Sequence, residues 1–101
     1  SLVDAGKYTS SWHEASTYFK SKVSMEKWEQ MARDLREPLG AITSRSLQLS
    51  HYATTLPAAP DGEYYIMKYS TSFEKKKSAT ETVTVMLDED AQWRVTGYYI
   101  K

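Results

Sequence analysis

The hydrophobic pattern changes period near residue 40. Before it, large and apolar residues recur three or four apart; after it, they alternate with polar ones. Ala5, Tyr8, Trp12, Ala15 and Phe19 put one stripe on one side of a helix, predicted over residues 4–20. Asp4 is placed to cap its start, and Lys20 and Lys22 suit the negative pole at its end. A second helix is announced by Ser24 as cap and Glu26 in the first turn, with Trp28, Met31, Ala32 and Leu35 as its apolar stripe. It should end near Glu37. Pro38 disfavours helical geometry in the residue before it, and Gly40 permits a left-handed turn.

Residues 45–54, 63–73, 78–88 and 92–101 are rich in Thr, Tyr, Val and Ile at period two and predict four strands. Residues 56–62, with two prolines and a glycine, form a turn linker, and residues 74–77 and 88–91 form charged hairpin loops. The three lysines at 75–77 are read as a solvated hairpin tip in preference to an anion patch. No repeat or second domain interrupts residues 1–101.

Successive side chains in a strand point to opposite faces, so a meander must show one consistent apolar face in all four strands. The shortest hairpin pairings give it. Arg45, Phe73, Ala79 and Lys101 form one row, followed by Leu47, Thr71, Glu81 and Tyr99, then Leu49, Tyr69, Val83 and Gly97. His51, Met67, Val85 and Val95, then Ala53, Tyr65, Leu87 and Trp93, complete the face. The other face carries Ser46, Gln48, Lys68, Ser70, Thr80, Thr82 and Arg94. The expected architecture is α+β: two N-terminal helices packed on one face of a four-stranded antiparallel meander.

Glu81 is the exception on that face. A buried carboxylate must be paired or protonated. Arg45 is its expected ion-pair partner, with Thr71 and Tyr99 beside it in the row. The favoured reading is a structural salt bridge that fixes register. The functional reading is a pocket floor, with Glu81 as acid or base and Arg45 as anion clamp. His51 is expected inside as a hydrogen-bonded core residue, and His13, lacking a second helical histidine, on the surface. Trp12, Trp28 and Trp93 fall on inferred core stripes. Tyr64, Ile66, Met86, Tyr98 and Ile100 on the outer face would form an apolar patch for a homodimer.

Thirteen basic residues balance thirteen acidic ones, which removes the basic excess on which sequence-independent nucleic-acid binding depends. The chain has no cysteine, so disulfides and thiolate metal sites are excluded. No apolar run approaches the ~20 residues of a bilayer span. Glycine-rich phosphate loops, nucleophile elbows and metal-spaced carboxylate–histidine clusters are missing, so no catalytic residue, cofactor or metal is expected. The opening Ser-Leu-Val-Asp lacks an initiating Met, which fits a processed or trimmed chain whose targeting segment would lie elsewhere.

Residues 28–45, containing Arg36-Glu37-Pro38-Leu39-Gly40, resemble a bacterial family named domain of unknown function four thousand and nineteen. So do Pro60-Asp61-Gly62-Glu63-Tyr64, Ser72-Phe73-Glu74, Glu81-Thr82-Val83 and Trp93-Arg94-Val95-Thr96-Gly97-Tyr98. The resemblance implies a cystatin-like or NTF2-like fold, a periplasmic or envelope-anchored setting, and Arg36, Arg45 and Glu81 at motif positions; it implies no activity. Asp90-Ala91 stands where a turn glycine is common. The preferred expectation is a non-enzymatic envelope module that holds a small ligand or protein in the helix–sheet cleft or on the sheet face. The alternative is a small acid–base enzyme using Glu81 with Tyr99 and Arg45.

Overall fold

The computed structural model describes residues 2–57 and 59–101; Ser1, which opens the chain, and Ala58, in the predicted linker, lie outside them. Three helices precede the sheet: α1 (Tyr8–His13), α2 (Thr17–Lys22) and α3 (Met25–Arg36), the last followed by a 3-10 turn (Glu37–Leu39). Four strands follow, β1 (Ile42–Ala53), β2 (Tyr64–Phe73), β3 (Lys76–Leu87) and β4 (Trp93–Ile100), in the order β1-β2-β3-β4, all antiparallel.

The helix predicted over residues 4–20 is broken in two, and Ser16 is the reason. Its backbone is extended, its N–H donates to the Val95 carbonyl, and its hydroxyl donates to Thr96 while accepting from the Phe19 N–H. Ser16 therefore caps α2 and ties it to the outer edge of β4, and a continuous helix would deny β4 that donor. Asp4 does not cap a helix either, because α1 begins at Tyr8.

The second predicted helix is α3, capped as expected by the Ser24 hydroxyl, which accepts from the Lys27 N–H. Its buried residues are Trp28, Ala32 and Arg36, spaced by four, whereas Met31 is exposed. Tyr8, Trp28 and Ala32 form the core, with Val3, Trp12, Phe19, Val23 and Tyr98 packed around them. The Trp28 ring stands edge-on to both Phe19 and Tyr98, at 5.4 and 6.5 Å. Its indole N–H is satisfied by Ser11, and that of Trp12 by the Val23 carbonyl. Gly40, at φ +75°, turns the chain from α3 into β1.

The meander is as predicted, but its register differs. In the β1–β2 pairing Arg45 stands opposite Thr71 and not Phe73. The β2–β3 turn is shorter than expected, with Phe73 opposite Lys76, so Lys76 and Lys77 belong to β3. This slides β2 by two residues against β3, which keeps every side chain on its face but sets Tyr69, not Thr71, opposite Glu81. In β1, Leu47 pairs Tyr69 while Leu49 pairs Lys68, so Gln48 is an extra residue. In β4, Val95 pairs Val85 while Gly97 pairs Thr84, so Thr96 is extra. Each insertion reverses the facing of the residues beyond it.

Two expectations fail for that reason. His51 is exposed and points away from the helices, and Tyr99 leaves the helix side in favour of Tyr98. The outer-face patch is also not formed. Tyr64 and Met86 are buried there, with the Tyr64 hydroxyl bonded to the Pro60 carbonyl, and Tyr98 is on the other side of the sheet. The helices cover only one end of their face. Trp93 and Val95, expected beneath them, are 45% and 37% exposed.

Candidate functional site

At the covered end of the sheet the carboxylate of Glu81 lies 1% exposed on β3. Arg45, on β1, reaches it across β2 with a two-pronged contact, Nε to Oε1 at 2.8 Å and Nη2 to Oε2 at 3.0 Å. Thr71, on β2, donates to Oε1 at 2.6 Å, and the Tyr98 hydroxyl, from β4, donates to Oε2. Each oxygen accepts two hydrogen bonds, which fills the lone-pair directions of an ionised carboxylate. Burial pushes the Glu81 carboxyl up. The bonds from Arg45, Thr71 and Tyr98 outweigh it and hold it below the usual carboxylate range. Burial, reinforced by the bond to Glu81, pushes the Tyr98 phenol well above its ordinary value.

Arg36 arrives from the last turn of α3 and is 6% exposed. Its Nη2 is 2.9 Å from Asp4, its Nη1 donates to the Tyr98 hydroxyl at 3.4 Å, and its guanidinium carbon lies 5.2 Å from the centre of the Phe73 ring. The ring offers its negative face to the buried cation. Among the described residues the Arg36 Nε has no acceptor. Asp4 closes the cluster by taking Arg45 in a second fork, at 3.0 and 3.1 Å. Two arginines thus face two carboxylates, and the charges cancel within the cluster.

Four of the five residues expected here, Arg36, Arg45, Thr71 and Glu81, are brought together. Tyr99 is not: it pairs Thr82 and is 54% exposed. Its role falls to Tyr98, which the insertion of Thr96 turns inward. Asp4 is the other residue that sequence reasoning missed. As a polar residue ahead of an amphipathic segment it reads as a cap, and no local signal announces a partner 41 residues away.

Beside the cluster, a cleft of about 770 Å³ opens between the helices and the sheet. Phe19 and Trp28 line its helix side, Tyr69, Val83 and Val95 its floor, and Trp93 its outer end. Arg36, Arg45 and Glu81 close the inner end. A smaller hollow lies by the β3–β4 turn. There Thr17 donates its N–H and hydroxyl to Asp88, and Arg94 is bound to Asp90. The Thr17 N–H bond leads the causes that hold the Asp88 carboxyl low. Among the described residues no group of three His, Asp or Glu side chains is arranged to hold a metal, and no helix is long and apolar enough to cross a membrane.

No curated protein matches the chain. The profile of the family described as "Protein of unknown function (DUF4019)" matches residues 1–98, so the chain belongs to that family.

Proposed function

We propose that this chain is a non-enzymatic binding module that holds a small, largely apolar ligand in the cleft between its helices and its sheet. The observation that carries the reading is the cleft itself: about 770 Å³, with aromatic and aliphatic side chains along its middle and polar groups at its two ends, Asp4, Arg36, Arg45 and Glu81 at one and Glu14, Gln92 and Arg94 at the other. Concave sites of roughly 300–1,000 Å³ with that division of surface are the usual form of a small-molecule site. A bacterial envelope setting, and membership of the cystatin-like or NTF2-like folds, rest on the sequence resemblance alone.

The acid–base alternative draws less support from the same geometry. A general acid or base needs a free lone pair or a transferable proton near the substrate, and Glu81 has every acceptor position filled and is held ionised. Tyr99, its intended helper, faces away.

The test is thermal unfolding against a library of apolar small molecules, with and without Val83→Asp, which sets a charge on the cleft floor. Compounds that raise the melting temperature of the parent protein and not of the variant support a cleft site. A library that shifts neither protein removes the reading.

A further inference from the structure

We infer that the ligand of this cleft is a single unbranched acyl chain, lying along the strands from the cleft to the open end of the sheet. The inference rests on the binding reading above. The apolar floor does not stop where the helices stop. Tyr52, Tyr65, Trp93 and Val95 are 44%, 38%, 45% and 37% exposed, and Leu47, on the edge strand beside Tyr69, is 54% exposed. All five lie on the helix side, where the insertion at Gln48 brings Tyr52 opposite Tyr65. The Tyr65 ring sits between Tyr52 and Trp93, with centres 5.3 and 5.2 Å apart and planes tilted by 59° and 60°. Tilted rings make a trough, not a flat platform for a planar ligand.

The floor restricts the occupant further. Along the middle of the floor Val83, Val85, Val95 and Met67 have no side-chain hydrogen-bonding N–H or O–H, and the Tyr69 hydroxyl has turned to the Met67 sulfur at 3.7 Å. The polar groups of this face, Ser50 and the tips of Tyr52, Tyr65 and Trp93, lie on the edge strand or toward the open end. A peptide laid along such a floor would leave backbone amides facing hydrocarbon, and a sugar would leave hydroxyls there; either would carry the desolvation cost of each unpaired group. A hydrocarbon chain has nothing to leave unpaired. The two arginines and two carboxylates at the inner end cancel in charge, with only the Arg36 Nε left without an acceptor among the described residues. At the other end Arg94 is engaged by Asp90, so the head belongs in water at the Trp93–Tyr52 end.

Size agrees. Leu87 lies six residue steps beyond Glu81 along β3, roughly 20 Å, which an extended chain of about sixteen carbons spans. A second copy of the protein fits the patch less well. The five side chains expose roughly 500 Å², against about 800 Å² per partner in a stable dimer.

The experiment is displacement of the fluorescent acid cis-parinaric acid by saturated fatty acids of eight to eighteen carbons and by their methyl esters. Affinity should rise about fourfold per methylene and level off near sixteen carbons, equally for acids and esters. The double variant Tyr65→Ser, Trp93→Ser should bind the sixteen-carbon chain at least tenfold more weakly while keeping the parent's far-ultraviolet spectrum. If compact apolar compounds raise the melting temperature but affinity ignores chain length, the cleft reading stands and the acyl inference falls. If no apolar compound binds, both fall. Co-sedimentation with phosphatidylcholine vesicles in place of a soluble one-to-one complex would overturn the inference, as would a concentration-dependent dimer that shields Trp93 from an added quencher.

Discussion

The Tyr98 hydroxyl donates to Oε2 of Glu81 because Thr96 is one residue more than the ladder between β3 and β4 can pair. Up to Val95 the strands pair as simple alternation demands. Past Thr96 every facing is reversed, so Tyr98 enters the cluster and Tyr99 leaves it. Ser16 holds the extra residue in place, hydroxyl to hydroxyl at 2.9 Å, and so a residue at the start of α2 decides which tyrosine meets the carboxylate.

The two adjacent tyrosines should therefore respond differently to loss of a hydroxyl. Tyr98→Phe removes a hydrogen bond to a buried charge and should lower stability by about 1.5–3 kcal/mol. Tyr99→Phe, on the exposed face, should stay within about 0.5 kcal/mol of the parent. Urea unfolding of the two variants measures both. Equal effects would mean that the β4 insertion is misplaced.

Glu81→Ala leaves Thr71 and Tyr98 without their acceptor and Arg45 with Asp4 alone, and should be destabilising by about 3 kcal/mol. The double variant Arg45→Met, Glu81→Leu removes both charges and supplies apolar volume, so it should be more stable than Glu81→Ala. A double variant no better than the single one would show that the pair contributes more than the avoidance of an unpaired charge.

The same carboxylate shapes the acid limb of the stability curve. The folded state holds the Glu81 carboxyl below its ordinary value, so the group adds stability above about pH 4.3, where the unfolded chain is ionised. That contribution is lost as pH falls through the lower folded value. Asp88 is shifted in the same direction and loses its share in the same region. Glu81→Gln should start less stable at pH 7 and fall less steeply below pH 4, keeping the slope that Asp88 supplies. Unfolding free energies between pH 2.5 and 7 give the two slopes; identical slopes would count against the depressed carboxyl.

Gly40 and Ala91 both adopt positive φ, +75° and +62°, and their substitutions should have opposite signs. A Cβ on Gly40 would lie 2.8 Å from the Glu74 carboxylate oxygen that accepts the Ala41 N–H. Gly40→Ala should therefore cost about 1–3 kcal/mol. Ala91 holds a left-handed conformation in the β3–β4 turn, within the Asp90-Ala91 pair that stands where the sequence resemblance leads one to expect a turn glycine. Ala91→Gly should raise stability by about 0.5–1 kcal/mol, once the added freedom of the unfolded chain is deducted. Paired thermal melts give both signs.

The α+β class, the meander order, the cap at Ser24 and the turn at Gly40 are legible in the sequence. The alternation also brought together Arg45, Thr71 and Glu81, to which the family resemblance added Arg36. Those features follow from period, from turn chemistry and from the need to pair a carboxylate on an apolar face, all of which are written locally or in one alternation rule. Tertiary structure decided the rest. The helix breaks at Ser16 because β4 needs a donor there, and Thr96 is left unpaired because Ser16 holds it. Asp4 is drawn to two arginines from other elements, and the helices stop short of Trp93 and Tyr65. A one-residue insertion changes no composition and little of the pattern, yet it reverses every side chain beyond it. Its position depends on contacts between residues about eighty apart, and no window along the chain contains both.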